Sequence, residues 1–157
     1  MGFSIFFLVA FLISATFVVM KKELSIVENT FVYMVILAIS INASWIVDEE
    51  LKLINVSEDS VKYAVFLLIR SVITPMILVV QLNMLQRFNT RVQTFLVTVV
   101  SLSTLVLLRG LSSYFDILHY SKWNHGFDVI YFALLQLIAF YSYKFIHKIG
   151  EREVNYL

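Results

Sequence analysis

Five long apolar stretches separated by short polar loops occupy almost the whole of this chain. They run over 3–20, 29–47, 63–85, 92–108 and 127–143. A helix needs roughly 20 mostly apolar residues to cross the hydrocarbon core, with a range of about 17–25. The last stretch is uncharged only over 129–143, and interfacial tyrosines and the snorkelling stem of Lys144 extend it. None shows the strict period of two that a barrel strand needs, so helices must satisfy the backbone polar groups in lipid. The expected fold class is therefore all-α: one integral membrane domain, a polytopic bundle of five transmembrane helices.

Composition agrees. Of 157 residues, 60% are hydrophobic and 15% charged, against about 45–50% and 25% in soluble domains. A net charge of +1 supplies no basic field for nucleic acid. The absence of cysteine excludes disulfides, thiolate metal sites and thiol nucleophiles. Four glycines and one proline leave little room for phosphate-cradling loops, and the sequence gives no reason to expect a cofactor.

Lysine and arginine counts set the expected orientation. Lys21, Lys22, Arg87, Arg91, Lys144, Lys148 and Arg152 lie on one side, and Lys52, Lys62, Arg109 and Lys122 on the other. Seven against four makes the first side cytoplasmic, with the N-terminus outside and the C-terminus inside. Trp45 and Trp123 then fall at the outer interface, and the outer second loop is acidic: Asp48, Glu49, Glu50, Glu58, Asp59. The first stretch has no basic residue before it and no A-x-A-like site after it, so it reads as a retained helix rather than a signal peptide. In the loop 109–126, Leu111, Tyr114, Phe115 and Leu118 recur at helical spacing. They predict a short interfacial helix before the last span.

Few residues are costly enough in lipid to need a reason. Arg70 reads as the only ionisable residue well inside a span. Such a charge costs from about 3 to over 10 kcal/mol. Three readings fit it: snorkelling or an ion pair with Asp48, Glu49 or Glu50; an anion or lipid-headgroup site; or a partner contact. Pro75 removes one helix hydrogen bond, frees the carbonyl of Ser71 and predicts a kink, or a hinge beside Arg70. Thr94, Thr98, Ser101 and Thr104 share one face of span four, and Ser40, Ala43 and Ser44 lie on span two. These suit close helix packing with hydrogen bonds of about 0.6–2 kcal/mol each. Asp116, His119, His125 and Asp128 are the one clustering of ligand-type side chains. The set suits a divalent metal or a pH-sensing pair, or a solvated loop in which Asp128 caps span five.

Residues 48–57 (Asp-Glu-Glu-Leu-Lys-Leu-Ile-Asn-Val-Ser), 66–75 (Phe-Leu-Leu-Ile-Arg-Ser-Val-Ile-Thr-Pro) and 121–125 (Ser-Lys-Trp-Asn-His) resemble small five-span membrane proteins of unassigned function from Bacillus-like bacteria. The resemblance implies a bacterial plasma membrane and carries no functional residue over. Three functions follow in order of expectation. The first is a non-enzymatic accessory protein that associates with a membrane partner or with itself. The second is a small oligomeric channel or transporter using Arg70 and Pro75. The third is a membrane enzyme at the outer headgroup layer using Asp116, His119, His125 and Asp128. H-E-x-x-H and G-x-S-x-G are absent, which ranks the enzyme last.

Overall fold

The computed structural model describes residues 2–154; the side chains of Glu49 and of residues 151–154, Arg152 among them, lie outside what it describes. Every apolar stretch becomes a helix of membrane-crossing length. The elements are α1 (Gly2–Val19), α2 (Ile26–Trp45), α3 (Ser60–Leu68), α4 (Thr74–Arg87), α5 (Arg91–Tyr114) and α6 (His125–Val154). Two short strands, β1 (Ile54–Val56) and β2 (Leu118–Tyr120), lie in the second and fourth loops. The end of the bundle that holds them is the ribbon end; the other, with Lys21, Lys22, Arg87 and Arg91, is the basic end.

Local chemistry sets the helix starts. Ser25 and Glu28 form a capping box at α2: Ser25 Oγ accepts from the Glu28 N–H (3.2 Å), and a Glu28 carboxylate oxygen accepts from the Ser25 N–H (2.7 Å). Asp59 caps α3 by accepting from the Val61 and Lys62 N–H groups. Asn124, not Asp128, caps α6, accepting from Gly126 (2.9 Å) and Phe127 (3.2 Å). Asp128 sits in the first turn, facing inward, where a negative charge is favoured by the helix dipole.

The third span is the axis of the bundle. Half of its apolar window is buried, against 11–22% for the other four spans. α1 packs on α3 and α4, α5 on α4 and α6, and α2 on α4 and α6. Phe6, Val32, Ile36, Ile73, Leu78 and Leu135 are fully enclosed between them.

This axis is not one regular helix. A π turn, Ile69–Ile73, joins α3 to α4 just before Pro75. Thr74 N–H donates to the Ile69 carbonyl five residues back. Pro75 has no N–H to give, so it strands the Arg70 carbonyl in the π register or the Ser71 carbonyl in the α register. Both carbonyls are taken by hydroxyls of α2: Ser40 Oγ donates to Arg70 O (3.3 Å) and Tyr33 Oη donates to Ser71 O (2.8 Å). The proline site predicted from sequence thus becomes a widened turn strapped to its neighbour.

Polar side chains make the same kind of tie elsewhere. Buried Asn83 accepts from the Glu23 and Leu24 N–H groups (3.0 and 3.1 Å) and donates to Asn29 Oδ1 (2.7 Å) and Val79 O (2.9 Å). That fixes the α1–α2 turn to the basic-end half of α4. Within the hydroxyl stripe of α5, Ser101 Oγ donates to Gln81 Oε1 of α4 (2.8 Å), while Thr98 and Thr104 donate back to their own helix.

The interfacial helix expected before the last span is absent. Leu111 and Tyr114 belong instead to α5, which runs on to Tyr114 and ends in a Schellman motif. Asp116 N–H bonds Ser113 O (3.1 Å) and Ile117 N–H bonds Ser112 O (2.9 Å), with Asp116 in the left-handed region at φ 53°. Aspartate tolerates that conformation better than most residues. The chain then reverses into β2, which pairs antiparallel with β1: Ile54 opposite Tyr120, Asn55 opposite His119, Val56 opposite Leu118. Side chains alternate as in any strand. Ile54 and Leu118 are fully buried, and Asn55 and His119 are exposed.

Candidate functional site: a buried charge network at the ribbon end

Beneath the ribbon, ionisable groups of α5 and α6 meet. Their centre is Asp128, whose side chain is 1% exposed. Tyr120 Oη donates to one carboxylate oxygen (2.8 Å) and Trp123 Nε1 to the other (2.9 Å). Arg109 Nε makes an ion pair with Asp128 at 3.6 Å, and His125 Nδ1 lies 3.7 Å away. The ribbon positions Tyr120, the loop after it positions Trp123, and α5 and α6 carry Arg109 and Asp128. Burial and the adjacent Asp128 carboxylate together hold the Tyr120 phenol well above its ordinary range, so it remains a donor.

One layer deeper, the hydroxyl of Tyr131 on α6 is buried. Ser40 lies beside it, and Arg109, Asp48 and Arg70 are all within electrostatic reach. The carboxylate oxygens of Asp48, in the π turn Ile46–Glu50 that follows α2, are also buried. The guanidinium of Arg70 lies over the ring of Phe66, 5.0 Å from its centroid, and its Nε is buried without a hydrogen bond. Phe66 precedes Arg70 by four residues, so the side chain turns toward the helix N-terminus, as helical Cα–Cβ geometry requires. The third span starts at Ser60, ten residues before Arg70. At 1.5 Å per residue Arg70 therefore lies about 15 Å along the helix.

Arg70 is accordingly not the only ionisable residue within a span. Arg109 lies in α5 and Asp128 in α6, and together with Asp48 they give two carboxylates and two guanidinium groups. Mutual neutralisation explains why span four runs past Arg109: the charge that seemed to end the helix is paired across to α6. Sequence reasoning also missed Tyr120, Trp123 and Tyr131. Helical spacing cannot reveal Tyr120 and Trp123, because they reach Asp128 from a strand and a loop.

The four ligand-type residues of the fourth loop separate. His125 and Asp128 stay together. Asp116 is the exposed left-handed residue of the α5 cap, and His119 points to the outer face of the ribbon. Among the described residues no group of three or more histidine, aspartate or glutamate side chains could hold a metal ion. Comparison with protein families, with curated proteins and with solved structures finds no match to this chain.

The hub has a measurable consequence. Asp128→Ala leaves Arg109 and two partly buried donors, Tyr120 and Trp123, without their acceptor and is expected to cost about 3–5 kcal/mol. His125→Ala, at a side chain 65% exposed, is expected to stay within about 0.5 kcal/mol. Reversible unfolding of each variant in mixed micelles measures both, and equal costs would show that Asp128 is not the hub.

Proposed function

We propose that this chain is a non-enzymatic accessory protein of a bacterial plasma membrane, with its N-terminus outside and C-terminus cytoplasmic, acting by helix–helix association with a membrane partner or a second copy. The orientation rests on the seven-to-four bias in basic residues. The association reading is carried by the outward face of α1. Phe3, Phe7 and Phe11, spaced by four, are 45%, 57% and 63% exposed, and the rings of Phe3 and Phe7 stack with centroids 6.0 Å apart. Only 11% of the α1 window is buried within the chain. Association between helices in lipid is driven by van der Waals packing and lipid entropy, and a row of exposed aromatic rings is a rigid surface for such packing. The buried charges support the same reading, since Asp128 and Arg109 are engaged with each other and with the ribbon.

The test is mass determination after gentle extraction, with identification of co-purifying proteins. A complex larger than the 18.2 kDa chain is expected, and Phe7→Ala with Phe11→Ala should dissociate it. A monomer without a stoichiometric partner would sink the reading.

One observation favours a second reading, a small oligomeric channel or transporter for anions. The π turn at Ile69–Ile73 holds Arg70, whose Nε is buried, near Pro75, and π turns within helices recur at functional sites. Flux in reconstituted vesicles that is lost in Arg70→Ala and kept in Arg70→Lys would support it; no flux from folded protein would remove it.

A further inference from the structure

At the ribbon end α1 meets Phe115, the residue that follows α5. Phe6 meets Phe115 edge-to-face at 6.5 Å. A Cβ at Gly2 would lie 3.3 Å from the Phe115 ring, so a larger residue there would press on the contact. Toward the basic end the two helices are held apart, and between them opens a cleft of about 460 Å³. Ligand pockets commonly measure about 300–1,000 Å³. The cleft is lined by Ile13 of α1, Val80, Gln81 and Met84 of α4, and Leu96 and Val97 of α5. Gln81, which accepts from Ser101, is the one polar side chain that α4 contributes to its floor.

The cations at the mouth of this cleft are its second feature. Lys21 and Lys22 follow the end of α1, Arg87 is the last residue of α4, and Arg91 is the first of α5. All four are exposed, and none is in an ion pair among the described residues. Lys22 folds back over Phe17, 5.0 Å from its ring centroid and next to Thr16 of the cleft wall. Arg87 immediately precedes Phe88, which also lines the cleft. Nearby Glu28 is engaged with His147 at 2.6 Å, and among the described residues this leaves Glu23 as the exposed carboxylate beside the four cations.

We propose that the cleft is a binding site for an anionic phospholipid of the leaflet at the basic end. One acyl chain lies between α1 and α5 on the floor of α4, and the anionic headgroup rests among Lys21, Lys22, Arg87 and Arg91. An apolar slot that opens beneath unpaired cations at headgroup depth fits this occupant better than a partner helix, which leaves those charges unmatched unless it brings its own carboxylates. Basic residues near an anionic lipid surface are each worth about 1 kcal/mol, roughly a fivefold change in affinity.

Native mass spectrometry of the full chain in detergent, titrated with phosphatidylglycerol and phosphatidylcholine of identical acyl chains, tests this. Phosphatidylglycerol is expected to bind at least about tenfold more tightly. Lys21→Gln, Lys22→Gln, Arg87→Gln and Arg91→Gln combined should abolish that preference. Lys144→Gln with Lys148→Gln, removing cations of the same end outside the cleft, should preserve it. Val97→Trp, which fills the slot, should weaken both lipids. Independently of any variant, phosphatidylglycerol carrying a photoactivatable acyl chain should crosslink to the cleft segments 13–16, 77–88 and 93–101. Equal binding of the two lipids, loss of preference in the Lys144/Lys148 variant, unchanged binding in Val97→Trp, or crosslinks spread evenly over the helices would each overturn the proposal.

Discussion

A hydrocarbon core offers no water, so every backbone N–H and C=O at that depth needs a partner inside the protein. The third span breaks this rule locally, because Pro75 has no N–H to give. The remainder of the bundle is arranged around the repair. A π turn makes room for the pyrrolidine ring, and Ser40 and Tyr33 of α2 donate to the carbonyls of Arg70 and Ser71. α2 and the third span are thereby joined by hydrogen bonds that neither could replace from lipid. The most buried span is thus also the one whose backbone depends on a neighbour.

The same scarcity of partners explains the charges. An isolated arginine or aspartate at this depth is costly, but Arg109 and Asp128 pair at 3.6 Å under the ribbon, and the Arg70 guanidinium lies over the Phe66 ring. The charged groups of this end come from segments distant in sequence: Asp48 lies in the π turn Ile46–Glu50 that follows α2, Arg70 in the third span, Arg109 in α5 and Asp128 in α6. The ribbon closes this layer from outside through Ile54 and Leu118, and Tyr120 places a donor directly on Asp128. Removing one member of such a set costs more than the set contributes, because the others remain buried. The opposite end is built differently, with neutral Asn83 and Asn29 tying the turns and the cations left exposed.

The five helices were legible because apolar length alone decides them, and Arg70 and Pro75 were legible because each breaks an otherwise apolar run. The carbonyl that Pro75 would free was predictable from helix geometry, though not that Tyr33 would take it. The ribbon was hidden for a physical reason. Strands of three residues carry too little alternation to register, and Leu111, Tyr114, Phe115 and Leu118 share a helical period that continues α5 for one turn before the Schellman reversal at Asp116. Arg109 was misplaced because a charge in an apolar run reads as an end unless its partner is known, and Asp128 lies nineteen residues away in the next helix. Asp128 itself read as a cap, a role that Asn124 performs.

The dependence of the third span on α2 can be measured by a double-mutant cycle on reversible unfolding in mixed micelles, combining Tyr33→Phe with Pro75→Ala. Tyr33→Phe alone should cost about 0.6–2 kcal/mol, the range of hydrogen bonds between membrane helices. In the Pro75→Ala background a backbone N–H is restored, and the same substitution should cost almost nothing. A Tyr33→Phe cost that is equal in both backgrounds would contradict the account, because the hydroxyl would then not be standing in for the donor that proline lacks.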